Sequence, residues 1–394
     1  MNTLLSRVGR LFTAGQPVAE NVDVLLGDGA IVAVGGHGSL VSPPATDSYD
    51  CQGALLTAGL IDAHTHPLYL HPRLAEIAER AGGVSYAEIA ARGGGIAATV
   101  DQTRAASWAD LERVLRERLG KWLLAGTTTV EAKTGYWLER TGELRAVRLL
   151  CALAEESGLP HLVVTLLGAH GLAKEFAGRR QEFIEEVASW SLDGQREGAR
   201  FADVFCDQGA FSVTESEHIL EGARSAGLAL RIHADELALT GGTLLAARLG
   251  AVSADHLLCI GSAEIAALAQ SSTVATLCPV TALSMGRTPP ARDLLAAGVP
   301  VALGSDHNPG TSGATAMSLI VWLAITELGL SVEQALTAAT LGGALSLNLP
   351  DRGQIGPGMA ADLALWDTDH EGAFSWSPDL RPLQVWRAGQ PCRD

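Results

Sequence analysis

Two textures of apolar and polar positions divide the chain. Over residues 1–56, short apolar stretches are broken by turn residues, and LLGDGAIVAVGG (25–36) sets alternating runs on either side of an Asp-Gly pair. That arrangement predicts a β-hairpin. From residue 57 the texture changes: strand-length apolar runs alternate with longer amphipathic stretches rich in Ala, Leu and Glu. The runs are LLTAGLIDAH (55–64), GTTTVEAK (126–133), HLVVTLLGAH (161–170), ADVFCDQGAF (202–211), LALRIHADE (228–236), AVSADHLL (251–258), TVATLCPV (273–280) and VPVALGSDHN (299–308). Helical periodicity marks LRAVRLLCALAEES (144–157), QEFIEEVASW (181–190), SEHILEGARSAG (216–227) and TGGTLLAARLG (240–250). Eight buried strands, each followed by a helix, predict an α/β fold, a (β/α)8 TIM-like barrel. DRGQIGPGMAADLALWD (351–367) then returns to glycine turns and short strands. The expected organisation is a barrel over 57–345 and a small β-sandwich domain built from 1–56 together with 346–394, because chain ends often lie close together.

Composition narrows this picture only slightly. Of 394 residues, 47% are apolar and 18% charged, enough for a large core and too little charge for disorder. The net charge of −16, with no basic patch, argues against nucleic acid and anionic membranes as partners. Cys51, Cys151, Cys206, Cys259, Cys278 and Cys392 are scattered without metal-site or paired spacing, as expected of reduced thiols in a cytoplasmic protein. Neither a signal peptide nor a membrane-length apolar run is expected.

Chemistry gathers where the apolar runs stop. The first ends in His64 and His66, the second in Glu131 and Lys133, the third in His170, and the fourth in Asp207. The fifth ends in His233 with Glu236 following, the sixth in Asp255 and His256, and the eighth in Asp306, His307 and Asn308. A single histidine after a strand is ordinary. So many strands ending this way is not, since the C-terminal mouth of a parallel barrel is where catalytic groups collect. Residues i and i+2 of a strand share a face, so His64 and His66 offer two ligands to one point. His233 and Asp306 could complete a divalent-metal site with one position left for water, which gives hydroxide near neutrality. Zinc is preferred to iron. Glu236 is the expected proton carrier, and His256 a second base or an oxyanion clamp. Lys133 sits on the second strand, not where a carbamylated lysine bridges two metals, so one metal is expected, with Lys133 paired to Glu131 or Asp207.

This pattern resembles the amidohydrolase superfamily. DAHTH, SYAEIAARGGGIAATV, GTTTVEAKTGYWL, TLLGAH, VFCDQGAFS, IHADE, SADHLL and SDHNPGTS, across residues 53–345, look more closely like the imidazolonepropionase family. The resemblance implies His64, His66, His233 and Asp306 as metal ligands. It implies Arg73, Tyr86, Tyr136, His170 and Asn308 as the residues that hold the substrate's ring and propionate. NPGTS (308–312) could add backbone N–H donors, that of Gly310 among them, and the hydroxyl of Thr311 or Ser312. An arginine fork completed by tyrosine hydroxyls suits a carboxylate. The implied reaction is hydrolysis of 4-imidazolone-5-propanoate, a small anionic cyclic substrate, to N-formimino-L-glutamate by a homodimer. Four departures fall near the expected ring: PLYLHP (67–72), Trp137, CPVTALSMGR (278–287) and His307. They keep open a desulfhydrase or deaminase acting on a related hydantoin or thiohydantoin propionate. A cytosine- or guanine-type deaminase is disfavoured by Arg73 and the tyrosines. A metal-free binding protein is disfavoured by the complete ligand set.

Overall fold

The computed structural model describes residues 2–84, 88–89 and 92–392. The N-terminal segment forms β1 (Asn2–Phe12), β2 (Ala19–Gly27), β3 (Ala30–Gly36), β4 (Asp47–Asp50) and β5 (Leu55–Ala58). β2 and β3 make the expected hairpin, with Gly27 opposite Ala30 and with Asp28 and Gly29 at φ +50° and +80°. Positive φ at both turn residues matches the twist of the strands, and Asp and Gly tolerate it best.

Eight parallel strands follow in sequential order: β6 (Leu60–Asp62), β7 (Thr127–Lys133), β8 (His161–Ala169), β9 (Phe201–Cys206), β10 (Ala229–Ala234), β11 (Ser253–His256), β12 (Val274–Leu277) and β13 (Val301–Leu303). The seam between β13 and β6 is closed by Ala63 N to Leu303 O at 3.2 Å, Asp306 N to His64 O at 2.9 Å and His66 N to His307 O at 2.8 Å. The four helices read from periodicity span Arg140–Ala154, Arg180–Arg196, Val213–Ser225 and Gly242–Leu249. The result is the expected (β/α)8 barrel. No helix among the described residues is long and apolar enough to cross a membrane.

The chain end adds β14 (Leu363–Trp366), β15 (Pro382–Arg387) and β16 (Gln390–Pro391) to the N-terminal strands. Together they form one mixed sheet ordered β16-β15-β14-β5-β1-β2-β3, with β4 also on β1. Leu5, Val8, Val24, Leu26, Leu56, Leu363 and Trp386 close its separate core. LLTAGLIDAH, expected as one strand, is two. Leu55–Ala58 belongs to the terminal sheet and Leu60–Asp62 to the barrel. Every residue from 54 to 66 is buried, so no change of pattern marks the crossing. Gly59 does: a Cβ there would stand 2.1 Å from Thr128 Oγ1.

Candidate active site

The barrel interior is polar rather than filled with branched aliphatics. Period-two alternation turns Glu131 and Lys133 of β7, Asp203 of β9, Arg231 and His233 of β10, and Ser253 and Asp255 of β11 inward, all buried. Lys133 Nζ lies 2.8 Å from both Glu131 Oε1 and Asp203 Oδ2. Burial alone would lower the lysine's pKa, but Asp203 and Glu131 outweigh it and keep the ammonium charged. An amine held this way is no candidate for carbamylation. Of the two partners expected from sequence, Glu131 is used and Asp207 is not. It lies past the end of β9, where its carboxylate accepts the N–H groups of Glu236, Leu237 and Ala238 at 2.6, 2.8 and 3.1 Å. Asp203, four residues earlier and on the same face, reaches Lys133 instead. Arg231 donates to Ser346 O at 2.6 Å, to Ala63 O at 2.9 Å and to the Asp255 carboxylate at 3.1 and 3.3 Å.

The histidines stand on this charged floor. His64 Nδ1 donates to Asp255 Oδ2 at 2.6 Å, which leaves Nε2 as the lone-pair nitrogen. His233 Nδ1 lies 3.0 Å from Asp203 Oδ2, so its Nε2 turns the other way. His233 Nε2 and His66 Nε2 approach to 3.2 Å. Asp306 Oδ1 is 3.5 Å from both His64 Nε2 and His66 Nε2. Four ligands at 2.0–2.1 Å from one centre would stand about 3.3–3.4 Å apart in a tetrahedron. Buried His64 Nε2 has no hydrogen-bond partner of its own. The donor set therefore fits a divalent cation. Cys278 and His256 also approach His64. Burial pushes the Cys278 thiol well above its ordinary range, which makes it the poorer fourth donor. Burial also pushes Asp306 up to about 6, opposed by the Thr281 hydroxyl bond to its Oδ2.

A cavity opens above these groups, lined by His66, Arg73, Tyr136, His170, Glu236, His256, Asp306, Asn308 and Thr311. Sequence-expected residues and candidate ligands therefore share one space; Tyr86 lies outside the described residues. Burial, with the charges of Asp306 and Asp207 behind it, raises Glu236 well above the ordinary carboxylate range. Burial lowers His256 and His170 to about 3, so both imidazoles are neutral. His256 Nε2 stands 3.9 Å from Glu236 Oε2. His170 stacks on His66 with centroids 4.8 Å apart, and its Nδ1 lies 3.0 Å from Gly135 O. The Tyr136 loop is set by buried Glu143, which accepts from Gly135, Trp137 and Leu138 N–H at 2.7, 2.8 and 2.8 Å.

Several expectations meet a different geometry. Gly310 N–H is spent on Asn308 Oδ1 at 2.7 Å and does not face the cavity as a donor. Trp137 is buried away from the cavity, stacked on Trp108 at 4.7 Å and 4°. His307 points behind the wall to Tyr69 Oη at 2.9 Å. Neither departure lines the space where a ring would sit. Met285, inside the departing stretch CPVTALSMGR, does line it, as do Phe205, Ile96 and Leu237, which were not singled out from sequence. Phe205 was findable, because the alternation that places Asp203 inward places Phe205 on the same face. Ile96, Leu237 and Met285 come from loops and a helix start, where no periodicity points at a pocket.

The Amidohydrolase family model matches residues 55–392. The chain is 37% identical to an imidazolonepropionase of Bacillus cytotoxicus, over 99% of this chain and 96% of that one. It is 42% identical to one of Symbiobacterium thermophilum, covering 86% and 82% of the two chains. It is 38% identical to one of Rhodococcus jostii, covering 99% and 94%. Among solved structures, N-isopropylammelide isopropylaminohydrolase of Burkholderia multivorans superposes with TM-score 0.76 at 20% identity, over 99% and 97%. An Arthrobacter aurescens atrazine chlorohydrolase variant complexed with zinc and atraton gives 0.72 at 20% identity, over 99% and 94%. These two carry the fold alone.

Proposed function

The chain belongs to the amidohydrolase family, among its imidazolonepropionases, and from that premise we propose that it hydrolyses 4-imidazolone-5-propanoate to N-formimino-L-glutamate. The observation that carries the reading is the convergence of His64, His66, His233 and Asp306 at the floor of a cavity that also holds Arg73. These four residues would hold one divalent cation. Zinc and iron both accept three imidazoles with a carboxylate, and zinc is the one proposed. The cation supplies Lewis acidity and a water acidified to near neutrality.

The remaining chemistry belongs to the chain's own side chains. Arg73 is fixed by Glu76 Oε2 at 2.8 Å on its Nε and by the Thr99 hydroxyl on Nη1, and would offer its remaining N–H donors to the substrate carboxylate, with Tyr136 beside it. His170 spends its Nδ1 proton on Gly135 O, so Nε2 accepts from a ring N–H. Phe205, Ile96 and Met285 wall the ring's faces and exclude water. Glu236, kept proton-hungry by burial, takes the proton of the attacking water and delivers it to the leaving ring nitrogen. Neutral His256 donates to the oxyanion that develops on the lactam carbonyl. Residues 1–56 and 346–394 would make one small domain on a catalytic barrel of 57–345, a division supported by the sheet the chain ends share, although β5 carries that sheet on to Ala58. The protein works as a cytoplasmic homodimer.

Turnover of three rings bearing propionate (imidazolone, hydantoin and 2-thiohydantoin) tests the reading by proton NMR of the products. Open-chain formimino-glutamate from the imidazolone is the expected result. Turnover only of the other two, with the ring left intact, would remove it.

A further inference from the structure

We propose that Trp137, stacked on Trp108, is a positioning residue that keeps the Tyr136 hydroxyl turned to the substrate. The proposal rests on the reading of Tyr136 as a substrate contact and not on the identity of the ring. The two neighbours face opposite ways. Tyr136 lines the cavity, whereas Trp137 is only 4% exposed and lies behind the wall. Their loop joins β7 to the helix Arg140–Ala154 and belongs to neither. It runs from Gly135 at φ +112° to Leu138 at φ +49°. A leucine in the left-handed region is unfavourable by itself, so the turn depends on what surrounds it.

Trp137 supplies much of that surrounding. Its N–H donates to Glu143 Oε1 at 2.8 Å, and its carbonyl accepts from Arg104 Nε at 2.7 Å. Its ring stacks on Trp108, which opens the helix Trp108–Leu124. Arg145 Cζ in turn lies 4.4 Å from the centre of the Trp108 ring. Indole on indole and guanidinium on indole are both attractive contacts. Gly142 makes the room: a Cβ there would stand 2.2 Å from Trp137 Cδ1. Gly142 and Glu143 share the first turn of their helix, so one turn receives both the ring and the backbone of Trp137. Arg104, Trp108 and Glu143 come from three different helices. Residue 137 is thus tied to all three, and the phenol one residue earlier takes its direction from that anchor.

Steady-state kinetics of the metal-loaded protein, with whichever of the three propionate rings it turns over, tests the proposal. Trp137→Ala removes the stacked ring, and Trp108→Leu removes its partner while leaving residue 137 intact. Each is expected to raise KM about 3–10-fold, the worth of a stacked aromatic pair, with kcat within about twofold of the parent. Trp137→Phe keeps a stack and should return KM to within about twofold. In a Tyr136→Phe background, Trp137→Ala should change KM by less than about twofold, because the hydroxyl it positions is already gone. Circular dichroism confirms that each variant is folded. Parental KM in folded Trp137→Ala or folded Trp108→Leu would overturn the proposal. So would a Trp137→Phe as impaired as Trp137→Ala, a loss confined to kcat, or an equal penalty with and without the Tyr136 hydroxyl. Tyr136→Phe alone separates the two levels. Parental KM there would remove Tyr136 from the substrate, and the purpose of the stack with it.

Discussion

Gly310 acts through what it lacks. A Cβ at this position would stand 1.9 Å from Arg73 Nη2, so only a bare backbone lets the guanidinium lie against the loop after β13. Arg73 is also held by Glu76 and by Thr99, so the shift that a Cβ would force on it strains these contacts and displaces the guanidinium. Gly310→Ala is therefore expected to copy an Arg73→Met variant. Both should raise KM about 10–100-fold, the worth of a charge-assisted carboxylate pair, with kcat changed far less. Steady-state kinetics of the two variants checks this, and a Gly310→Ala with parental KM would contradict it. Sequence placed both residues at the site. It did not reveal that one makes room for the other, because a steric relation between positions 237 residues apart has no local signature.

The seam between β6 and β13 is the element on which the ligand geometry depends, since it carries His64 and His66 on one side and Asp306 on the other. Two departures from the family's usual sequence meet there. His307 Nδ1 faces Ala314 O at 3.0 Å, so Nε2 accepts from Tyr69 Oη at 2.9 Å. The Tyr69 ring lies under the Arg118 guanidinium at 3.6 Å. Burial lowers His307 to about 4, so the ring is neutral in this bond. The pair braces the seam from behind the cavity wall. His307→Phe is expected to leave the relative turnover of imidazolone and thiohydantoin rings unchanged. It should lower unfolding stability by about 1–3 kcal/mol, because the buried Tyr69 hydroxyl loses its partner. Tyr69→Phe combined with it should cost less than the sum of the single changes, measurable by denaturant unfolding of the four proteins. A switch in ring preference would place His307 back at the substrate.

At the scale of the whole molecule, the barrel is plugged by charge and the terminal sheet is bolted on by arginines. Arg231 ties β10 to the residue after β6 through Ala63 O, to β11 through Asp255 and to the short helix Gly343–Ser346 through Ser346. Arg231→Met strips a fully buried carboxylate cluster of one of its two cations and is expected to cost about 3–5 kcal/mol in denaturant unfolding. On the opposite end of the barrel, Arg387 of β15 donates to Ala154 O at 3.0 Å and Glu156 O at 2.9 Å. His161 starts β8 near this junction, and burial, then Arg352, Arg387 and Arg200, lowers it from 6.5 to about 4. The folded state refuses a proton that the unfolded chain accepts. His161's contribution is therefore complete above pH 6.5 and is lost as pH falls toward 4. His161→Gln should flatten the fall of stability over that window by roughly 1–2 kcal/mol, allowing for partial solvation. Equal slopes for parent and variant would show that neither burial nor the arginines shift this ring.

Sequence by itself determined the barrel, the hairpin at Asp28-Gly29 and the strand ends that carry His64, His66, His233 and Asp306, because all three are written in local periodicity and turn chemistry. It also placed Glu131 and Lys133 together at the end of the second strand. Only the tertiary structure decided that Lys133 takes Asp203, and not Asp207, beside the expected Glu131, that LLTAGLIDAH is shared between two sheets, and that Trp137 and His307 turn away from the cavity. Each of these is a choice among partners of similar chemistry at different distances. Separation in space is fixed by how strands stagger and helices pack, and no window of neighbouring residues contains it.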